Sequence, residues 1–153
     1  MIRGSPSESY NLLLKYSYIL EKENESTIIS LKLDGNNNFF YYFVSIGSCI
    51  NDFFQCIKPV IAVDGTHLKR LYCGTMFVAT CLDRNNQLYQ LAIEIENFEN
   101  NDFWEWFMMD LHGAIGDVLD LLIISNRCTS IQRAVIKIFH SVIDDVCFYH
   151  GKR

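Results

Sequence analysis

Two polar residues of this sequence follow short apolar runs in a way that could bring metal-ligating oxygens together. Asp64 comes directly after residues 59–63, and about sixty residues later Asn126 comes directly after residues 121–125. Each run predicts a buried strand that delivers the next side chain to the edge of a sheet. Two carboxylates at neighbouring strand ends can hold the divalent metal ions that assist phosphodiester cleavage. Asp64 supplies one carboxylate, whereas Asn126 supplies an amide oxygen without negative charge.

From the residues alone, both positions also have a plainer interpretation. An Asp-Gly pair after a strand, such as Asp64-Gly65, is more often a turn than a ligand. Asn126 is by default a loop residue at a strand end. If a metal is bound, Mg²⁺ suits the site, because it keeps several waters and needs only one or two carboxylates with phosphate oxygens. A neutral amide in place of the second carboxylate predicts a sharp loss of metal affinity.

Cys147 and His150 form a C-x-x-H pair. This is a weak indication of zinc, because a zinc site needs two more ligands and the other cysteines are not spaced to supply them. All six cysteines lack the regular spacing of a disulfide framework, and residues 1–5 contain no apolar signal core. We therefore expect free thiols in a reducing compartment and no secretory route.

The composition predicts a single folded domain. Half of the 153 residues are hydrophobic, which is enough to bury one core. No apolar run approaches the roughly 18 residues that a membrane-spanning helix needs. The net charge of -5 argues against a protein that binds nucleic acid by itself, since such proteins usually carry a basic patch. It is compatible with a metal-dependent nuclease core, in which acidic groups gather around cations.

The first third of the chain predicts a helix followed by a β-hairpin. Pro6 is favoured at the first position of a helix. Residues 27–33 and 39–46 have the β-branched and aromatic composition of strands, and residues 34–38 between them are rich in turn residues. We expect residues 47–58 to link this hairpin to the rest of the chain.

Residues 51–153 predict an α/β core domain behind the N-terminal segment of residues 1–50. It is expected to begin with three strands at residues 60–64, 75–82 and 87–95. A helix after Asp102, a strand at residues 121–125, a helix at residues 130–139 and a last strand at residues 146–149 follow. Consecutive strands with tight turns pair antiparallel, whereas a strand that follows a crossover helix is added in parallel. The prediction is a mixed five-stranded sheet flanked by helices.

The sequence of the helix after Asp102 predicts which face of this helix packs on the sheet. Asp102 and Glu105 have the spacing of a capping box. The apolar residues of this helix fall on one face, which we expect to pack on the sheet; they are Trp104, Phe107, Met108, Leu111 and Ile115. Aromatic residues in such a stripe are far more often part of a core than a surface for stacking bases.

Several motifs occur in the order and spacing of a known family. They are residues 63–69 around Asp64, residues 77–83, residues 85–89, Glu99-Asn100 with residues 104–107, and residues 124–125 followed by Arg127. In these motifs, and in the segment before them, the chain resembles the catalytic core of plant Mutator-like element (MULE) transposases. The likeness covers nearly the whole chain, and its motifs are specific.

The resemblance implies a ribonuclease H-like fold and the chemistry of a DNA transposase. Such enzymes use an Asp-Asp-Glu set with Mg²⁺ or Mn²⁺ to cut DNA at terminal inverted repeats and to join the ends to a target. Asp64 matches the first aspartate, and Asn126 stands where the family has the second. Cys147 and His150 match a C-x-x-H motif of the family, so zinc is a further candidate cofactor.

The resemblance also implies inverted-repeat DNA as the partner, a nuclear location, and assembly with other transposase chains. The family's third acidic residue belongs to a helix beyond the C-x-x-H motif, and this chain ends at Arg153. We therefore expect an incomplete core that is truncated at its C-terminal end.

Three functions are consistent with these residues. An active transposase core would need a second acid at Asn126 and a third acid after the C-x-x-H motif. We therefore expect a catalytically inactive fragment of a Mutator-like transposase. The alternative is a domesticated, transposase-derived regulatory module that binds DNA or protein without cutting it.

Overall fold

The structure is a computed structural model that describes residues 6–36, 39–55, 59–68, 74–97, 102–126 and 128–140. Over these ranges the chain forms four helices and six strands. In chain order they are α1 (Pro6–Glu23), β1 (Ile28–Leu33), β2 (Phe39–Ser45), α2 (Gly47–Phe54), β3 (Val60–Leu68), β4 (Gly74–Leu82), β5 (Leu88–Glu96), α3 (Phe103–Ile115), β6 (Leu122–Ser125) and α4 (Thr129–Ile138). Helix α1 begins at Pro6, as the sequence predicts.

All six described strands belong to one mixed sheet with the order β1-β2-β5-β4-β3-β6. Neighbouring strands pair antiparallel, except that β6 runs parallel to β3. The predicted pairing of the first four core strands is therefore confirmed. Strands β3, β4 and β5 follow one another along the chain and pair antiparallel, and β6 joins in parallel after helix α3.

The sheet differs from the predicted one in its strand count. The hairpin β1–β2 extends the sheet instead of standing before it, because β2 pairs with β5 from Tyr41↔Glu96 to Val44↔Ile93. The turn residues between β1 and β2 predict that these strands pair with each other, but their local sequence does not indicate which edge the hairpin joins. Four of the five predicted core strands are present, and the fifth, at residues 146–149, lies outside the described residues.

Strand β3 is longer than predicted. The sequence predicts a strand that stops at Asp64, but β3 continues to Leu68 because β4 pairs with it as far as Leu68↔Gly74. The Asp64-Gly65 pair therefore lies within a strand and not in a turn.

Helix α2 occupies residues for which the sequence predicts only a link between hairpin and core. It buries Ile50 and Phe53, which are three residues apart and share one face. Its start is hard to recognise because the N-cap position is Ile46, which makes no side-chain capping bond. Instead, the Gly47 N–H donates to Thr27 Oγ1 at 3.0 Å, which ties α2 to the residue before β1.

Helix α3 covers one face of the sheet, as its apolar spacing predicts. Phe107, Met108 and Leu111 are fully buried, and the Phe107 ring packs edge-to-face against Phe43 of β2 at 6.1 Å between centroids. Asp102 stands at the N-cap position, but its side chain makes no capping hydrogen bond. The helix therefore starts at the predicted residue, but the predicted capping bond from the Asp102 side chain is not formed.

Helix α4 packs beside α3. It buries Ile131, Ala134 and Val135, which fall on one face of the helix. Across the exposed side, the Lys137 ammonium pairs with the Glu105 carboxylate of α3 at 2.7 Å. Together, α3 and α4 form the layer that encloses the main core.

Helix α1 lies on the opposite face of the sheet. Its Ser17 hydroxyl donates to the Tyr42 hydroxyl at 3.0 Å. Tyr42 alternates along β2 with Tyr41 and Phe43, which face α3, so α1 packs on the other side. The sheet is thus flanked by helices on both faces. None of the described helices is long and apolar enough to cross a membrane.

Candidate metal centre between strands β3 and β6

The parallel pairing of β3 with β6 brings Asp64 and Asn126 side by side. The two strands are in register over four residue pairs, the last of which is Val63↔Ser125. Asp64 and Asn126 are the next residues of the two segments. Since neighbouring strands lie about 4.8 Å apart, both side chains start from backbone positions within reach of a common ligand.

The Asp64 side chain belongs to the sheet face opposite α3 and α4. Val63 and Ser125, the pair just before Asp64 and Asn126, are only 3% and 4% exposed and face the main core. Side chains alternate between the two faces along a strand, so Asp64, which lies within β3, is on the other face, and Asn126 directly follows the end of β6. Both residues are exposed. The position is therefore open to an ion and to a phosphate group.

The Asp64 carboxylate is held by the next residue. Its Oδ1 accepts a hydrogen bond from the Gly65 backbone N–H at 2.9 Å. A hydrogen bond to an ionised carboxylate is stronger than one between neutral groups. The bond therefore restricts the orientation of the one anionic side chain at this strand end.

Asn126 begins a tight connection from β6 to α4. Its backbone carbonyl accepts hydrogen bonds from the Cys128 N–H at 2.7 Å and from the Ser125 hydroxyl at 2.9 Å. Because these bonds engage the carbonyl, the group left to meet an ion is the side-chain amide. Its oxygen can coordinate a metal but carries no net charge.

This donor set does not fit two metal ions beside a phosphate. Within the described ranges, no group of three or more His, Cys, Asp or Glu side chains could hold a metal ion. Asp64 and Asn126 contribute a single negative charge, which leaves two divalent ions without a counter-charge. The pair fits at most one weakly held Mg²⁺ or Mn²⁺. Cys147 and His150, the candidate zinc ligands, lie outside the described residues.

The family of the chain follows from a comparison with protein-family models. Residues 60–152, more than half of the chain, match the MULE transposase domain. The chain belongs to the MULE transposase domain family. The match contains β3, β6 and both helices of the main layer, and it includes Asp64 and Asn126. No curated protein matches the sequence at a significant level.

The MULE domain also contains an acidic cluster that the sequence analysis missed. Glu94 and Glu96 of β5 are 0% and 1% exposed and lie beneath α3. The Tyr41 hydroxyl donates to Glu94 Oε2 at 2.8 Å and is in hydrogen-bond contact with Asp110 of α3. The Ser30 hydroxyl of β1 donates to the other Asp110 oxygen at 3.2 Å. Strands β1, β2 and β5 thus meet α3 through polar groups.

The two buried glutamates of the MULE domain keep protons that exposed carboxyls would lose. Burial, the largest cause, raises the pKa of Glu94 to about 8. Burial first, and then the neighbouring Glu94 carboxyl group, raise the pKa of Glu96 to about 11. Glu94 Oε1 and both Glu96 oxygens meet no donor from another described residue. Apart from the Tyr41 hydroxyl on Glu94 Oε2, no hydrogen bond among the described residues stabilises the charged form of either carboxyl group.

Proposed function

We propose that this MULE domain is a transposase core of ribonuclease H-like topology in which Asp64 is the first metal ligand and Asn126 replaces the second acid. The observation that carries the proposal is the parallel register of β3 and β6, because Asp64 and Asn126 directly follow its last pair. The strand order β5-β4-β3-β6, with three antiparallel strands and a parallel fourth, supports the ribonuclease H-like assignment.

The same site supports the proposal that the chain does not cleave DNA. In an active core, a pair of divalent metal ions would stabilise the charge that develops on the phosphodiester oxygens. Here Asp64 would hold and orient a cation through its carboxylate, while the amide of Asn126 would add no charge. The proposed partner, DNA at terminal inverted repeats, the nuclear location, and assembly with other transposase chains rest on the family membership and the resemblance.

The alternative proposal is a regulatory module derived from a transposase, which binds without cutting. It shares the neutralised site at Asn126, so the site alone does not separate the two. The net charge of -5 favours a protein over DNA as the partner of such a module. A gel-shift titration with inverted-repeat DNA separates the possibilities, because a protein-binding module would leave the DNA unshifted.

Restoring the second acid is expected to strengthen metal binding. Asn126→Asp adds a carboxylate next to Asp64, and we expect the affinity for Mn²⁺ to rise by about tenfold, which corresponds to about 1.4 kcal/mol. Isothermal titration calorimetry with MnCl₂ measures the change directly. If Asn126→Asp gains no affinity, Asn126 is not at the metal position.

A charge-matched control separates coordination from general electrostatic attraction. Asn85→Asp adds the same charge in the exposed turn between β4 and β5, and it is expected to leave the Mn²⁺ affinity within about twofold. Asp64→Asn in the Asn126→Asp background is expected to remove the gain. Equal gains from Asn85→Asp and Asn126→Asp would contradict a local site.

The wild-type chain is expected to leave DNA intact. When it is incubated with Mn²⁺ and end-labelled inverted-repeat DNA, no specific nick should form, because a single carboxylate does not hold two metal ions. Denaturing gel electrophoresis of the labelled strand provides the measurement. Specific nicking that Asp64→Asn abolishes would contradict the proposed inactivity and would support an active core.

A further inference from the structure

Gly65, the residue that follows Asp64, is exposed, but on the core side of the sheet it lies close to two aromatic rings. Gly65 is paired with Phe77 of β4. A Cβ atom on Gly65 would lie 3.1 Å from two atoms of the Phe77 ring and 3.1 Å from Cζ2 of Trp104. This is tighter than ordinary van der Waals contact, so a glycine is what lets Trp104 approach the backbone of β3. The glycine after Asp64 is therefore explained by the close packing of Phe77 and Trp104, since Asp64 and Gly65 lie within β3 and not in a turn.

Trp104 is itself held by rigid neighbours. Its ring meets Phe77 edge-to-face at 4.2 Å between centroids, and it meets Phe107 at 6.0 Å. Trp104 belongs to the first turn of α3, where the adjacent Glu105 pairs with Lys137 of α4. The indole thus packs between α3 and β4.

One hydrogen bond connects Gly65, which Trp104 contacts, to the Asp64 carboxylate. Gly65 lies against the Trp104 indole, and its backbone N–H donates a hydrogen bond to Asp64 Oδ1 at 2.9 Å. A shift of the Gly65 backbone would therefore move the donor that orients the Asp64 carboxylate. We propose that Trp104 is a positioning residue, which fixes the Asp64 carboxylate by packing on Gly65. This inference rests on the proposed role of Asp64 as a metal ligand.

Trp106 provides the contrast that makes the inference specific. It lies two residues further along α3 and packs against Tyr41, Phe40 and Phe103, at 5.8, 5.9 and 5.5 Å between ring centroids. These contacts are with β2 and with α3 itself. A tryptophan that only stabilises the fold is therefore available on the same helix as a matched control.

The test uses the Asn126→Asp chain, in which the metal site is expected to be strongest. Supporting residues behind a metal ligand typically contribute about tenfold or more to metal affinity. Trp104→Leu is therefore expected to weaken Mn²⁺ binding by about tenfold in calorimetry, and the conservative Trp104→Phe by less. Trp106→Leu should lower the melting temperature to a similar extent but change the Mn²⁺ affinity by less than about twofold.

A second measurement tests, without any metal, whether Trp104 restrains the Gly65 backbone. Hydrogen exchange of the Gly65 amide, followed by NMR, is expected to be faster in Trp104→Leu than in Trp106→Leu, because only the first variant frees the Gly65 backbone. Should Trp104→Leu fail to fold, Trp104→Phe serves in both measurements. A loss of Mn²⁺ affinity that is about tenfold in Trp104→Leu, smaller in Trp104→Phe and below about twofold in Trp106→Leu, with faster Gly65 exchange in Trp104→Leu, supports the inference.

Two results would overturn the inference. One is an equal loss of Mn²⁺ affinity in the Trp104 and Trp106 variants, which would make Trp104 a purely structural residue. The other is unchanged Gly65 exchange in Trp104→Leu. If Asn126→Asp binds Mn²⁺ no better than its Asp64→Asn derivative, the proposed function fails, while the Gly65 exchange rates still decide whether Trp104 holds this backbone.

Discussion

Replacing Glu96 with glutamine is expected to stabilise the fold at neutral pH by about 2–3 kcal/mol. In the wild-type chain the buried Glu96 carboxyl keeps its proton when folded, whereas the unfolded chain releases it above the ordinary pKa of 4.5. Keeping Glu96 protonated in the folded chain lowers the free energy of unfolding by about 1.4 kcal/mol for each pH unit above pH 4.5. Glutamine removes the cost, because its side-chain amide does not titrate.

The raised pKa values fix the sign of the pH dependence. For both glutamates the folded state binds more protons than the unfolded state above pH 4.5, so stability falls as pH rises. The contribution of Glu94 is fully present below pH 4.5 and is lost by about pH 8. That of Glu96 continues to be lost up to about pH 11. The raised pKa of Tyr41, caused first by burial, extends the decline above pH 10.

Urea unfolding at a series of pH values measures both effects. We expect the free energy of unfolding of the wild-type chain to fall by several kcal/mol between pH 5 and pH 8, with an upper limit of about 8 kcal/mol, since each of the two glutamates contributes at most about 1.4 kcal/mol for each pH unit. In Glu96→Gln the decline should be about half as steep, because one of the two proton-binding groups is gone. Its melting temperature at pH 7 should rise by roughly 6 °C.

Glu23→Gln is the matched control for this prediction. Glu23 is exposed near the end of α1, so the same chemical change there should alter stability by less than about 0.5 kcal/mol. Two observations would contradict the buried proton. One is a stability that rises from pH 5 to pH 8, and the other is a Glu96→Gln chain less stable than the wild type at pH 7.

The burial of these glutamates also explains where sequence reasoning reaches its limit. In β5, Glu94 and Glu96 alternate with Ile93 and Ile95, a pattern that ordinarily indicates a buried isoleucine face and a solvated glutamate face. The structure covers the glutamate face with α3. A single strand pattern does not contain this information, because it depends on which helix crosses the strand and on Tyr41, about fifty residues earlier, supplying a donor.

The elements around the candidate site were easier to predict, and for a physical reason. Residues 60–64 and 121–125 are short apolar runs, and a helix lies between β5 and β6, so parallel pairing of β6 follows from general rules of chain connection. The juxtaposition of Asp64 and Asn126 depends only on that pairing. By contrast, the contact of Gly65 with Trp104 depends on the distance between β3 and α3, which no local pattern records.

Helix α2 offers the second large effect, at the glycine with which it begins. A Cβ atom on Gly47 would lie 1.9 Å from the backbone carbonyl oxygen of Glu25 and 2.9 Å from the carbonyl carbon of Ser26. Both are backbone atoms, so no side chain can rotate away. Gly47→Ala must therefore push α2 from the connection before β1 and lengthen the bond from Gly47 N–H to Thr27 Oγ1. We expect a loss of about 3 kcal/mol in the free energy of unfolding.

Gly113→Ala makes this prediction sharp, because the same chemical change should have the opposite sign. Gly113 lies in α3, is exposed, and has no heavy atom within 4 Å of an added Cβ. Alanine has a higher helix propensity than glycine, so Gly113→Ala should stabilise the fold by about 0.5–1 kcal/mol. Urea unfolding of both variants at pH 5, where the glutamates stay protonated, gives the comparison. If Gly47→Ala is as stable as the wild type, α2 does not approach the chain before β1 as closely as the Gly47 contacts indicate.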